Sequence, residues 1–437
     1  MKRLIEMLGL CAPNRHSRAG GNPAPRDFGT AAIGLLAAIT VANPATALEV
    51  DPHVPPEINF GGRALGTLVG GTQSNTGTVT SAGEDESGLD FSDSSLLFNF
   101  NKYLFNGPPR YGFATVGLRR PDNARELKDD IYLHEANVGI GNRAFEIKLG
   151  RTRLRNTLLT FPTVRDDDLL GFTHVANAAT DVDTDVYEIF GGVADVQWWP
   201  TRTVATNIAA TSRVVTDSAG DVVQDGKING ANVGIAYVLP QSLKFDRGLR
   251  FAGISWDAQQ IDALDDERLS AYLAGFIYNL NNNPEADWVW ETQWLATDGA
   301  GGAALTDKIV RARARSNAVV SALRFNHRPY LQTRWQAALT LAAKEYDDFD
   351  NAQTFAVAPS FVYRLGSGVD WVAQYIYTEQ RGALATQTGI DNEQRFYTGL
   401  SFGFDYTLNE SVAERGSILA VEHNMTSSFG PGMGGGD

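Results

Sequence analysis

The sequence predicts an all-β chain, a transmembrane antiparallel β-barrel of about 16 to 18 strands with one long connection folded inward. Three observations carry that prediction. Apolar and polar residues alternate with period two over most of the chain, tyrosine and tryptophan gather at the ends of the alternating runs, and short turns alternate with long acidic or Gly/Ser-rich connections.

The first element is a targeting segment. From Phe28 the chain reads FGTAAIGLLAAITVANPATALEV, with Arg26 before it and Ala45-Thr46-Ala47 at its end. A basic flank, an apolar run and a small-residue cleavage site make a secretory signal peptide, assigned to residues 1–47, of which 1–25 read as an irregular extension. Asn43, Pro44 and Thr46 limit the apolar run to about 15 residues, short of the roughly 20 a spanning helix needs. Cleavage after Ala47 removes five of the 37 Lys+Arg and two of the 51 Asp+Glu and leaves a net charge of −17. So acidic a chain is not a general phosphate-backbone binder, and nucleic acid is not an expected partner. Cys11, the single cysteine, leaves with the leader. Disulfides, thiolate metal sites and a cysteine nucleophile are therefore excluded from the mature chain.

The barrel is assigned to residues 48–429. After Leu48 no window approaches 18 consecutive apolar residues, so spanning helices are not expected. Leu96, Phe98 and Phe100 alternate with Leu97, Asn99 and Asn101. Ala136, Val138 and Ile140 form a second run that crosses the Gly141-Asn142 turn into Phe145, Ile147 and Leu149, which is a hairpin. The C-terminal third repeats the pattern in Phe355 to Leu365, Trp371 to Tyr377 and Phe396 to Tyr406, and weaker runs cover 231–239, 272–280, 288–294 and 335–343. One face of these runs is continuously apolar; the other carries Gly, Ser, Asn, Gln and single charges, as a water-facing lumen would require. Tyr111, Trp198, Trp199, Trp288, Trp371 and Tyr406 stand at run ends, where interfacial girdles sit. Short turns at 107–109, 141–142 and 366–368 alternate with long connections at 72–90, 155–186, 216–227 and 382–393. Residues 430–437, GPGMGGGD, read as a flexible tail beyond Phe429.

Residues 142–190, NRAFEIKLGRTRLRNTLLTFPTVRDDDLLGFTHVANAATDVDTDVYEIF, resemble the strand-to-constriction-loop region of the trimeric general porins of Gram-negative outer membranes. In that family a strand ending in a Gly-Arg pair, here Gly150-Arg151, leads into a long acidic loop that turns back into the lumen. The resemblance implies an outer-membrane channel for passive diffusion of small hydrophilic solutes or ions. It also implies contact with outer-membrane lipid and lipopolysaccharide, insertion by the barrel assembly machinery, a homotrimer, and no cofactor. A substrate-specific 18-stranded channel of the alginate-export type and a non-conducting surface β-protein that binds partners through its loops are the alternatives.

Selectivity in a wide pore comes from charged side chains at its narrowest point. Arg311, Arg313 and Arg315 alternate with Ala312 and Ala314 and put three guanidinium groups on one face; Arg119, Arg151 and Arg153 extend the basic set. Asp166, Asp167 and Asp168 in the long connection would oppose them. Arg151 and Arg153 share parity with apolar Ile147 and Leu149, and Arg311 to Arg315 with Val319 and Leu323. Either a bulge near Gly150 and another near Ser316 reverses the faces, or these arginines stand on the rim, because an Arg facing mid-bilayer costs about 2–4 kcal/mol. Asp181, Asp183 and Asp185 begin like a calcium loop, but Val186 replaces the turn glycine and Gly192 the bidentate glutamate, so no metal site is assigned. The HExxH motif is missing from the sequence, and an enzyme is not expected.

Overall fold

The structure is a computed structural model that describes residues 57–75, 87–90, 95–104, 110–119, 132–142, 144–151, 159, 192–201, 203–212, 215–216, 222–224, 228–239, 247–261, 267–281, 283, 286–299, 314–327, 334–366 and 369–407. The leader (1–47) and the tail (430–437) lie outside the described residues.

Alternating sequence makes strands because successive side chains leave a pleated backbone on opposite faces. The strands are β1 (Glu57–Asn75), β2 (Ser87–Asp90), β3 (Ser95–Leu104), β4 (Arg110–Arg119), β5 (Tyr132–Gly141), β6 (Phe145–Arg151), β7 (Val193–Trp198), β8 (Val204–Thr211), β9 (Val215–Thr216), β10 (Val222–Gln224), β11 (Gly230–Val238), β12 (Gly248–Ile261), β13 (Glu267–Asn279), β14 (Ala286–Asp298), β15 (Ser316–His327), β16 (Trp335–Tyr346), β17 (Gln353–Gly366), β18 (Val369–Arg381) and β19 (Ile390–Thr407). Seventeen of them form one antiparallel sheet, and β9 with β10 make a small separate hairpin. Each strand of the large sheet pairs with the next one in it, except that β2 and β3 both pair with β1. β1 closes the ring, pairing with β19 from Asn59↔Thr407 to Asn75↔Ile390 on one side and with β2 and β3 on the other. Because β2 and β3 lie along the same side of β1, they are two parts of one stave, and the barrel has sixteen staves. This falls at the low end of the expected range and is two short of the 18-stranded alternative. Closure leaves no edge strand with unpaired backbone, which is the condition for a sheet to cross lipid.

The two ends differ as expected. Connections at the end that holds the start of β1 and the end of β19 run from two residues (367–368) to nine (239–247). Those at the opposite end run from five (262–266) to forty-one (152–192). The expected turns at 107–109, 141–142 and 366–368 all fall at the short-turn end, and the expected loops at the other. Two expected loops are shorter than read, however. β1 continues to Asn75, and the last connection is occupied by a six-residue helix, α1 (Ala383–Thr388), that buries Leu384 beside Tyr346, Ala352 and Ala314.

The outer face is a continuous apolar belt. Leu68, Ile254, Val319, Leu323, Leu341, Val357, Leu400 and Phe402 are exposed on it, and each alternates with an inward neighbour. At its short-turn edge five rings run hand to hand across β14 to β18: Trp288 to Phe325 at 4.8 Å, Phe325 to Trp335 at 4.7 Å, Trp335 to Phe361 at 6.0 Å and Phe361 to Trp371 at 5.7 Å. Aromatic rings suit that position because their apolar bodies face lipid while polar tips reach the interface. The girdle drawn from sequence needs two corrections. Tyr111 turns inward and donates its hydroxyl proton to Glu146, and Trp199 packs against the inner apolar cluster. Both share parity with inward neighbours, Phe113 and Gln197.

Candidate functional site

The inner wall of the barrel is the candidate site, and its two halves differ in chemistry. On β6, β7, β8, β11 and β12 polar inward residues fall into two rows set by strand register, beside the apolar Ala205, Ala236 and Phe251. Glu146, Gln197 and Asn207 stand directly opposite one another in the first row. Lys148, Asp195, Ala209, Asn232 and Asp257 follow in the second. Hydrogen bonds tie the rows together. Gln197 Nε2 donates to Asp195 Oδ2 at 2.9 Å, Asn207 Nδ2 to Asn232 Oδ1 at 2.9 Å, and Asn232 Nδ2 to Ser255 Oγ at 3.2 Å. Tyr111 Oη reaches Glu146 Oε2 at 2.8 Å and joins β4 to the set.

On β13 to β18 small apolar side chains are more numerous and stand among polar inward residues such as Glu291, Gln293, Thr340, Lys344 and Gln374. Ala271, Leu273, Leu295, Ala318, Val320, Ala322, Ala342, Ala356, Ala358 and Ile376 form one buried cluster with Ala205, Ala236 and Phe251 of β8, β11 and β12. The expectation of a uniformly polar inner face is corrected here: alanine, valine and leucine occupy part of it. Leu159, from the connection between β6 and β7, belongs to the same cluster and is 3% exposed. Its amide donates to Gln293 Oε1 at 2.8 Å. Gly275 makes room for its side chain, since a Cβ there would stand 3.2 Å from Leu159 Cδ1 and 3.1 Å from Thr292 O. β13 and β14 are five and six staves round from β6, so at Leu159 the long connection has entered the barrel and reached a distant part of the wall. The inward fold expected for this connection is therefore observed at that residue.

Toward the short-turn end, across β12, β14 and β15, lies a charged cluster that the sequence reading did not single out. Arg324 pairs with Glu291, and Arg250 pairs with Asp287 at 3.0 Å. Two cations and two anions balance, as buried charges must if they are not to carry a large desolvation cost.

The residues singled out from sequence scatter. Arg119 ends β4 at a position that shares parity with inward Phe113 and Gly117, and Arg151 ends β6 with its Nε buried. Strict alternation from outward Leu149 would have turned Arg151 to lipid. Gly150, with φ of 128°, interrupts the pleat, and a side chain there would collide with Ala136 O at 2.4 Å. Arg315 lies just outside β15 on the parity of exposed Asn317 and Val319, with no register shift at Ser316. It is an exposed rim residue, its Nη2 2.9 Å from Asp298 Oδ1 and the two side chains 50% and 59% exposed. Arg153, Asp166, Asp167, Asp168, Arg311 and Arg313 lie outside the described residues. No group of three metal-ligating side chains occurs among the described residues.

No family model matches the chain, and no curated protein matches it. Solved structures do superpose on it. An anion-selective porin from Comamonas acidovorans aligns over 80% of this chain and 100% of its own at 11% identity and TM-score 0.55. A Salmonella typhi OmpF complex with daunomycin aligns over 79% and 97% at 12% identity and TM-score 0.54. The outer-membrane channel DcaP of Acinetobacter baumannii aligns over 82% and 100% at 9% identity and TM-score 0.52. The chain has the porin-like β-barrel fold of these outer-membrane proteins.

Proposed function

We propose that this chain is an outer-membrane porin, a water-filled channel through which small hydrophilic solutes and ions diffuse passively, with no chemical step and no cofactor. The observation that carries the reading is the inversion of the barrel. Its outside is a continuous apolar belt, whereas the charged and amide side chains of β6 to β12 face inward. A soluble barrel needs the opposite arrangement, and a surface protein that bound partners through its loops alone would have no use for an inner charged wall. Lipid and lipopolysaccharide surround the belt, and the barrel assembly machinery inserts it. The 152–192 connection narrows the lumen from its anchor at Leu159, with Arg119 and Arg151 adding positive charge near the loop end.

The outward face of the β1–β19 closure carries an open apolar hollow where Ala64, Gly66, Leu68, Leu400 and Phe402 meet Trp371. A homotrimer would pack through that face. One experiment tests both statements. Protein purified in detergent, shown to be folded by faster unheated than heated migration on a gel, is added to a planar lipid bilayer. Stepwise conductance increases are expected, grouped in threes for a trimer. A folded barrel that inserts without conducting overturns the channel reading.

A further inference from the structure

The connections at the two ends of the barrel carry opposite charge. At the short-turn end, residues 105–109, 142–144, 199–203, 239–247, 280–285, 328–334 and 367–368 hold six Lys and Arg against two Asp and Glu, a net of +4. At the opposite end, residues 76–86, 120–131, 212–229, 262–266, 299–315, 347–352 and 382–389 hold nine Lys and Arg against seventeen Asp and Glu, a net of −8. The inward connection, 152–192, adds to the acidic excess with three basic and seven acidic residues.

Ion pairs of the strand ends do not offset this difference, because among the described residues they close within one end. Arg250 pairs with Asp287 and Arg364 with Asp370 at the short-turn end, Arg381 with Glu379 and Arg395 with Glu393 at the other. Charges at both rims stand on fixed backbone. Arg334 donates its amide to His327 O at 3.3 Å, its carbonyl accepts from Arg364 N at 2.9 Å, and its side chain is exposed, as is that of Arg247. Asp347, Asp348 and Asp350 are exposed on the 347–352 turn, which α1 braces with Leu384 packed among Tyr346 and Ala352.

Like charge gathered round the mouth of a low-dielectric tube draws in ions of opposite sign and excludes those of its own. A net +4, seen from about 15 Å, roughly the radius of a sixteen-stave barrel, at about 0.05 M salt, enriches anions about twofold, and the acidic end does the same for cations.

We propose that the two mouths make the channel a rectifier, which passes more current when the loop side is positive than when it is negative. With the loop side positive, cations enter through the acidic mouth and anions through the basic one, so each carrier comes from the end that concentrates it. With the polarity reversed, each enters through the mouth that repels it, and the pore is depleted of both. The proposal rests on the channel reading and adds a direction to it.

The test is the current–voltage relation of single channels in planar bilayers with the same potassium chloride solution, about 0.05 M, on both sides. Orientation is read from Asn283→Cys, an exposed position in the 280–285 turn of a chain that has no cysteine after Leu48. A membrane-impermeant biotin reagent followed by streptavidin alters the current of that variant only from the chamber facing the short-turn end. At equal voltages of the two signs, the current with the loop side positive should be about twice the other, and the ratio should fall to about one in 1 M salt, where the Debye length is about 3 Å. Arg247→Glu with Arg334→Glu brings the short turns from +4 to a net of zero and should remove about half of the asymmetry.

A symmetric relation in the wild type, a larger current with the loop side negative, or an asymmetry that survives in 1 M salt overturns the proposal. So does an unchanged ratio in the double variant, whose folding is checked by heat-shifted migration on a gel. Should that variant not fold, the sign and the salt dependence of the wild type decide by themselves. A wild type that folds and inserts without conducting strikes the channel reading instead.

Discussion

The inner faces of β6–β12 and of β13–β18 are set by the same alternation, yet on the first carboxylates and amides stand in continuous rows, whereas on the second Glu291, Gln293, Thr340, Lys344 and Gln374 stand among more numerous alanine, leucine and valine side chains. The strands themselves cannot explain this, because both halves present equally regular apolar residues to lipid. What differs is the material that meets each half. Amide and carboxylate groups need hydrogen-bond partners and suit water and ions. Alanine, with small neighbours such as Gly275, leaves a shallow bed that a peptide segment can occupy closely, as Leu159 does. The comparison teaches that an inward-facing position in a barrel is not by itself a water-facing one.

The largest effect expected from breaking either half is on stability. The charges on β14 and β15 are ion-paired: Glu291 is 1% exposed and bonded through one oxygen to Arg324. Replacing Arg324 by Leu leaves that carboxylate without its nearest partner. The expected loss is about 3 kcal/mol, the low end for a broken buried pair because Arg250 still faces Glu291. Urea unfolding of the detergent-folded barrel would show it as a lowered midpoint. Asp195→Asn, by contrast, removes a charge whose hydrogen bond is to the neutral amide of Gln197, and should leave the midpoint near that of the wild type. Equal losses in the two variants would mean that the halves do not differ in kind.

A smaller effect is expected on conductance, from the bed that holds the connection. Leu159→Asp puts a carboxylate against Leu273, Leu295 and Val320, and burial of an unpaired charge there is far more costly than release of the segment into water. The variant should fold, conduct more than wild type and admit larger uncharged solutes. Gln293→Leu removes only the acceptor for the Leu159 amide, worth about 1 kcal/mol or roughly fivefold in the docked fraction. Its conductance should rise less, with more flicker between levels. If Leu159→Asp folds with an unchanged exclusion limit, the bed does not control the opening.

Much of this architecture could be read from residues alone. Period-two runs such as Phe396 to Tyr406 announce both the strand and its lipid face, because large apolar residues at alternate positions leave no other burial pattern. Turn chemistry separated the ends, and Gly150-Arg151 marked where the inward connection begins. The inner wall was harder to read. VADVQW in β7 carries Asp195 and Gln197 on one face, but six residues are too few to distinguish a short strand from a loop, and their partners Glu146, Asn207 and Asn232 are set by register between strands far apart in sequence. The apolar half escaped notice for another reason. In β16 (WQAALTLAAKEY) and β17, alanine occupies inward positions, and alanine is common on either side of a sheet. Leu159 stood within a loop sequence with no periodic signal, and its role depends on Gln293, 134 positions away.

The smallest effect should come from the residue that looked most selective in sequence. Arg315 sits outside both inner halves, half exposed beside an equally exposed Asp298. The hydrogen bond that the guanidinium donates to Asp298, with that residue's charge, holds Arg315 above its ordinary pKa, so it stays charged throughout the physiological pH range. Exposed pairs of this kind contribute about 0–1 kcal/mol, and their field fades within about 8 Å at physiological salt. Arg315→Gln should therefore leave the unfolding midpoint almost unmoved. It should shift the zero-current potential slightly toward cations at low salt and not measurably at 0.15 M. A shift in Arg315→Gln that persisted at high salt would show that the rim reaches the narrowest part of the path, and would move the control of selectivity from the polar wall to the loop end.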